Sequence, residues 1–430
     1  MFQKRRDEFL SKMKDGIAIF RNSDESVRSN DTHYKYRPDT DFYYLTGLTE
    51  PNSVAVFLPQ HPEHKFVLFV RPRDPERETW DGRRAGVEGA VKDFGADISF
   101  SIDELDEKLP EMMKNMDNLY YTLGTYEDFD SKIIKMVSNL RKRVRKGDSA
   151  PTSIIETSSI THSMRLVKKE EEIELMKKAN FISQEGHIEL MKTVKAGMYE
   201  YELEALVENI FRKNGANGVA YNSIVGTGIN ATILHYTENN TELKDGELLL
   251  VDAGAEYKYY CGDITRTIPV NGKFSKAQKE VYEVVLEAEL EALKIAKPGV
   301  KFHDIHARAV EVITDGLVKL GFLKGSVEKL IEDEKYKTFY MHNTSHWLGM
   351  DVHDAGKYFV NGESIKLESG MILTIEPGLY IQEGVEGVPS EYIGIGIRIE
   401  DDVLITENGH EVLSQRVPKT VEDIEKMMSK

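Results

Sequence analysis

The sequence predicts a mixed α/β (α+β) protein of two domains, the second built from two similar halves. Three observations carry this prediction. Over residues 1 to about 150, short β-branched runs alternate with helical patterns. The stretch Arg141–Ser153 turns basic and then small and polar, which sets a boundary within 150–168. Beyond it, a helix–break–helix unit occurs twice, each time followed by strand-like segments. The 430 residues suit two or three domains, and we take 1–160 and 161–430 as the two.

In the first domain, SVAVFLP (Ser53–Pro59) and KFVLFV (Lys65–Val70) are apolar runs bounded by turn signals and read as neighbouring strands. SIDELDEKLPEMMKNM has helical spacing, and RKRVRKGDSAPTS reads as a solvated helix end plus linker. From Lys168 to Gly215 the spacing predicts two helices with a break at KAG; the second closes on a glycine suited to a C-cap. Residues 277–322 give a second pair, broken at AKPG. Lys195 and Gly197 match Lys297 and Gly299 at an offset of 102. Tyr201/His303, Glu202/Asp304, Leu203/Ile305 and Ala205/Ala307 share that offset. A common offset through the turn predicts a duplicated half with pseudo-two-fold symmetry, and a site in the cleft between halves. GTGIN (Gly226–Asn230) lacks the third glycine and the helix-opening context of a phosphate loop, so it reads as a turn.

Composition narrows the function classes. With 56 basic against 73 acidic side chains the net charge is −17, a field that repels phosphate backbones and argues against nucleic acid. One cysteine, Cys261, precludes a disulfide within the chain and fits a cytoplasmic setting. The apolar run Gly16–Phe20 is too short for a signal or a membrane span.

The chemistry lies in acids set within apolar strands. Asp252 follows LLLV, and Asp263 returns eleven residues later in CGDITRT. Glu376 follows ILTI, Glu400 ends IGIGIRI, and His346 lies in HNTSHWLGMDVHD. A buried carboxylate costs several kcal/mol unless it is paired or binds a cation. Structural pairing is one reading, Arg266 with Asp263 and Arg398 with Glu400. Four carboxylates and a histidine outnumber the nearby bases, however. Hard oxygen donors with one imidazole suit two ions of Mn²⁺, Co²⁺, Fe²⁺ or Zn²⁺, with a hydroxide between them as nucleophile. His235, His342 and His353 lie near these elements in sequence and could stabilise an oxyanion or donate a proton. There is no G-x-S-x-G elbow, and Cys261 has no evident catalytic partner.

The motifs VDAGAEYKYYCGDITRT, HNTSHWLGMDVHD, TIEPGLYI and GIRIEDDVLIT resemble the aminopeptidase P and prolidase family of pita-bread metallopeptidases. The resemblance extends through RSNDTHYKYRPDTDFYYLTG (Arg28–Gly47) and ETWDGRRAG (Glu78–Gly86). It implies a creatinase-like N-terminal domain, a duplicated pita-bread catalytic domain, and a homodimer or homotetramer. It implies the metal ligands Asp252, Asp263, His346, Glu376 and Glu400, with Asp263 and Glu400 bridging two ions, usually Mn²⁺. By the same resemblance His235 and His353 contact the substrate and tetrahedral intermediate, and Glu376 orients or deprotonates the bridging water. His342, Tyr380 and Arg398 line the proline pocket, and Trp80 reaches a neighbouring subunit's site.

The expected activity is removal of the first residue from peptides with proline second. That bond has a tertiary nitrogen without an N–H, so its site must accept a ring and cannot rely on bonding that amide. A free α-amine near the carboxylates would enforce attack at the chain end. Three alternatives compete: a prolidase limited to Xaa–Pro dipeptides, with Arg398 holding the proline carboxylate; a non-catalytic peptide-binding relative; and a dinuclear phosphoesterase, which would need basic clamps that the motifs hardly supply.

Overall fold

The two apolar runs near the N-terminus form adjacent antiparallel strands, Val54–Phe57 and Phe66–Val70, with Val56 opposite Val67. The computed structural model describes residues 1–429. It divides into two units, Met1–Met164 and the chain from Arg165 onward.

The first unit is organised on a six-stranded mixed sheet. Its order is Ile98–Ser101, Phe66–Val70, Val54–Phe57, Ile17–Arg21, Asn118–Tyr120 and Ser153–Ile155. Helix Leu105–Met113 packs on it through Leu105, Leu109 and Met113, one stripe at four-residue spacing. The stretch read as helix end plus linker departs from that reading. Helix Glu127–Arg141 does end at its basic part, but Ser153–Ile155 is the edge strand of the sheet. Three residues with two of them exposed leave no apolar pattern to read, as is usual for short edge strands.

The second unit contains both helix pairs: Glu170–Thr193 with Glu200–Lys213, and Lys276–Ile295 with Phe302–Lys319. The offset of 102 extends to backbone detail. Gly197 and Gly299, each between the helices of its pair, have φ of 86° and 88°, a region that favours glycine. The Gly197 N–H donates to Leu243 O at 2.9 Å, and the Gly299 N–H to Leu367 O at 2.9 Å. Leu243 and Leu367 donate back to Met198 and Val300, each at 2.8 Å. Tyr199 bridges to Glu242 as Lys301 bridges to Lys366. The duplicated-half expectation is therefore borne out bond by bond.

Each half also carries an antiparallel sheet. The first joins Ile224–Thr227, Leu248–Asp252 and Thr265–Pro269; the second joins Ile372–Ile375, Asp401–Ile405 and His410–Val412. They meet at an isolated bridge between Thr265 and Glu400. One buried core draws on both halves, with Leu249, Val251 and Ile268 from the first and Ile313, Leu379 and Ile397 from the second.

Candidate metal centre and active-site cavity

Strand Leu248–Asp252 is buried throughout and paired on both sides, so Asp252 has little freedom of position. The chain then makes a short hairpin, Ala255–Tyr257 against Tyr260–Cys261. The turn falls on Lys258 and Tyr259, both at positive φ. The hairpin arms close on each other at two glycines. A Cβ on Gly254 would overlap the carbonyl oxygen of Gly262, so only glycine permits this approach. The Ala253 N–H donates to Ile264 O at 3.1 Å, which returns Asp263 beside Asp252. The imidazole of His187 sits 2.9 Å from Ala253 O. Burial pushes its pKa down to about 4, so the ring is neutral and its Nε2–H donates.

Tyr221 joins the two aspartates. Its hydroxyl lies 2.5 Å from Asp252 Oδ1 and also hydrogen-bonds Asp263 Oδ1. His346 Nε2 stands 3.4 Å from Asp263 and 3.5 Å from Glu376. Its Nδ1 lies 3.1 Å from Trp347 O, so that nitrogen donates there and Nε2 is turned toward the acids. Ligand atoms of Asp263, His346 and Glu400 all fall within 4.8 Å of one another. Thr265 donates to Glu400 Oε2 at 2.6 Å, and Asp402 accepts the Asp263 N–H at 2.9 Å.

This concentration of acids is electrostatically costly. Burial, and then repulsion from neighbouring carboxylates, raises Glu400 well above the usual range. Burial likewise raises Asp263 and lifts Glu376 to about 7, although His346 and Arg398 oppose it there. Burial alone would lower His346, but its hydrogen bond to Asp263 and the charges of Glu376 and Asp263 raise it to about 9. Convergent carboxylate oxygens and one oriented imidazole nitrogen fit divalent cations, which would relieve the repulsion.

The structural pairings considered from sequence do not form. Arg266 pairs with Asp401 at 2.6 Å and donates to the carbonyls of Thr265, Glu400, Val417 and Pro418. Arg398 pairs with Asp252 at 2.6 Å rather than with Glu400. Each arginine therefore meets an acid far away in sequence rather than the one nearest to it along the chain. Arg398 also donates to the Tyr380 hydroxyl at 3.0 Å, which lies 2.8 Å from His342 Nε2. His342 Nδ1 is 2.8 Å from Asn343 O. Burial, reinforced by Arg398, drives the His342 pKa down to about 3. The neutral ring therefore donates from Nδ1 and accepts the tyrosine proton at Nε2, and one donor chain runs from Arg398 to Asn343.

These residues open on a cavity of about 740 Å³ lined by Asp252, Asp263, His346, Glu376 and Glu400 together with His235, His342, His353 and Arg398. The His353 ring meets His346 edge-on at 4.4 Å. Tyr380 departs from the expectation: it is fully buried and reaches the cavity through His342 and Arg398. Trp80 belongs to the first unit, on helix Pro75–Asp81, and is 84% exposed. Sequence reasoning missed Tyr221, Thr265 and the lining histidines His303 and His306. The last two had a signal, an i,i+3 pair on a predicted helix.

Comparison with known proteins places the chain in a family. The metallopeptidase family M24 profile matches residues 174–407, and the aminopeptidase P N-terminal domain profile matches residues 2–120. The chain belongs to the aminopeptidase P family. It is 44% identical to Xaa-Pro aminopeptidase of Escherichia coli K12, over 99% of this chain and 97% of the relative. It is 36% identical to human Xaa-Pro aminopeptidase 3, over 93% of this chain and 78% of that one. Among solved structures, Pseudomonas aeruginosa aminopeptidase PepP superposes with a TM-score of 0.98 at 46% identity, covering 99% and 97% of the two chains. A zinc-substituted E. coli aminopeptidase P in complex with product gives 0.96 at 43% identity, covering 99% and 97%. The pita-bread fold with its N-terminal partner domain is thus established for this family member. Among the described residues, no helix is long and apolar enough to cross a membrane.

Proposed function

We propose that this protein removes the N-terminal residue from peptides with proline in the second position, using two divalent ions held by Asp252, Asp263, His346, Glu376 and Glu400. The observation that carries the reading is that those five side chains line one cavity, with ligand atoms of Asp263, His346 and Glu400 within 4.8 Å of one another. Two bound ions, with Mn²⁺ the first choice and Co²⁺, Zn²⁺ or Fe²⁺ as substitutes, would supply Lewis acidity and a nucleophilic hydroxide at neutral pH.

The chain's own groups do the rest. The substrate α-ammonium is drawn to the carboxylates, which fixes attack at the first bond. His353 and His235 face the carbonyl oxygen and stabilise negative charge as it develops there. The proline nitrogen must gain a proton before the C–N bond breaks. Glu376, which lines the cavity beside His346, is suited to take a proton from the attacking water and deliver it to that nitrogen. The neutral His342, held by Tyr380, offers a ring face to the proline.

The prolidase reading is weaker because both Nη atoms of Arg398 are already engaged, by Asp252 and Tyr380. A phosphoesterase is disfavoured too: among the described residues lining the cavity, Arg398 is the sole arginine or lysine. A homodimer or homotetramer with Trp80 at a neighbour's site, and a cytoplasmic setting, complete the proposal; the exposed indole and the single buried cysteine support them. The test is turnover of an Xaa–Pro–Xaa peptide before and after chelation, with Mn²⁺ restored. Loss and recovery of cleavage is expected, and activity indifferent to chelation would overturn the metal reading.

A further inference from the structure

A continuous row of rings leads out of the site. Tyr380 and His342 have centroids 5.5 Å apart, His342 and Tyr340 4.9 Å, and Tyr340 and His306 5.9 Å. From His306 the row continues to His303 at 5.9 Å and from His303 to Phe359 at 6.2 Å. The tyrosines are buried behind the wall, whereas His342, His306, His303 and Phe359 line the cavity itself. Among the cavity-lining members exposure rises outward: His342 and His306 are partly buried, His303 is exposed, and Phe359 at the outer end is 53% exposed.

We propose that His306, His303 and Phe359 form an extended subsite for the substrate residues that follow the proline, favouring an aromatic or apolar side chain there. This rests on the Xaa–Pro aminopeptidase reading and deepens it. Four considerations select this occupant. The subsite is part of the same cavity as the candidate metal centre, so it needs no separate ligand. An enzyme acting at the chain end fixes the amine among the acids, and the remaining chain must leave along another wall. The cavity-lining part of the row begins at His342 and includes no carboxylate, so it suits an uncharged peptide stretch rather than an ammonium. Finally, Nδ1 of His306 accepts the Thr344 N–H at 3.2 Å. Burial pushes the pKa of this ring down to about 4. The proton of the neutral ring is therefore on Nε2, where it can donate to a peptide carbonyl, while His303 and Phe359 offer faces for stacking.

The test is kcat/KM for three peptides: Ala–Pro–Ala, and two pentapeptides that carry Phe or Lys after the proline. The wild type is expected to prefer the Phe pentapeptide over the tripeptide. Phe359→Ala and His303→Ala should each reduce that preference, by about fivefold given the usual strength of an aromatic contact. Phe359→Asp, a change at an exposed position, should invert the Phe-over-Lys preference. Equal long-to-short ratios in wild type and variants would overturn the subsite while leaving Xaa–Pro cleavage standing. A wild type that cleaved none of the three would remove both readings.

Discussion

Asp252 and Glu376 hold corresponding places in the two halves of the second unit, Asp252 ending the central strand Leu248–Asp252 and Glu376 directly following Ile372–Ile375. The offset of 124 that separates them also separates Leu243 from Leu367, the pair that anchors the two interhelix turns. Duplication thus supplies one acid from each half at the same strand end. The halves have since diverged around them: Arg398 neutralises Asp252, whereas Glu376 lies near His346 and His342.

Removing Asp263 should separate metal binding from folding. Asp263→Ala is expected to lose at least one ion and nearly all activity, measured by metal content after dialysis and by turnover. Its metal-free form should melt no lower than metal-free wild type, because a buried like-charge repulsion has been relieved. A variant that kept both ions would remove Asp263 from the ligand set.

Gly254→Ala tests the hairpin closure. The added methyl group meets the Gly262 carbonyl, which is backbone and cannot turn aside. We expect a stability loss of about 3 kcal/mol in urea unfolding and weaker metal affinity from displacement of Asp263. Wild-type affinity in this variant would show that the crossing does not set the spacing of the aspartates.

Arg398→Lys keeps the charge but loses the fork that reaches Asp252 and Tyr380 together. Because Tyr380 in turn holds His342, kcat/KM should fall by about tenfold or more. Tyr380→Phe should reproduce part of this loss. Independent effects in the double variant would argue against a single donor chain.

The loop carrying His353 offers a test by pH. The Asp354 carboxylate is buried, accepts from Arg165 at 2.6 Å and Lys168 at 2.9 Å, and its pKa is brought down to about 2. Burial alone would raise it, and the two cations more than reverse that. Its folded pKa therefore lies below the unfolded value of about 4. The stabilisation is present above that value and is lost as pH falls toward 2. Asp354→Asn should cost about 3 kcal/mol at pH 7, with the gap to wild type narrowing between about pH 4 and 2. A gap independent of pH would mean that the ion pairs are not its source.

The acids were legible in the sequence because each interrupts an apolar run, a local pattern with a definite energetic cost. The helix pairs were legible from their spacing and shared offset. Their partners were harder to read. Arg266 and Arg398 each lie near a candidate acid in sequence, yet the fold brings them to Asp401 and Asp252. Tyr221 precedes its strand with nothing to distinguish it from an ordinary half-buried tyrosine, and its role emerges only when the hairpin folds back. Ser153–Ile155 was missed for a related reason: an edge strand of three residues depends on its neighbour for definition.

The bridge between Thr265 and Glu400 marks a seam where the two halves meet, and the candidate ligands come from both sides of it. Cations bound there would act as rivets as well as reagents, since ligands that favour the folded chain stabilise it by mass action. Metal starvation would then do more than silence the enzyme. It would loosen the seam, expose the chain to proteolysis and shorten its lifetime in the cell, so that metal supply would govern both how fast the proposed reaction runs and how long the protein survives.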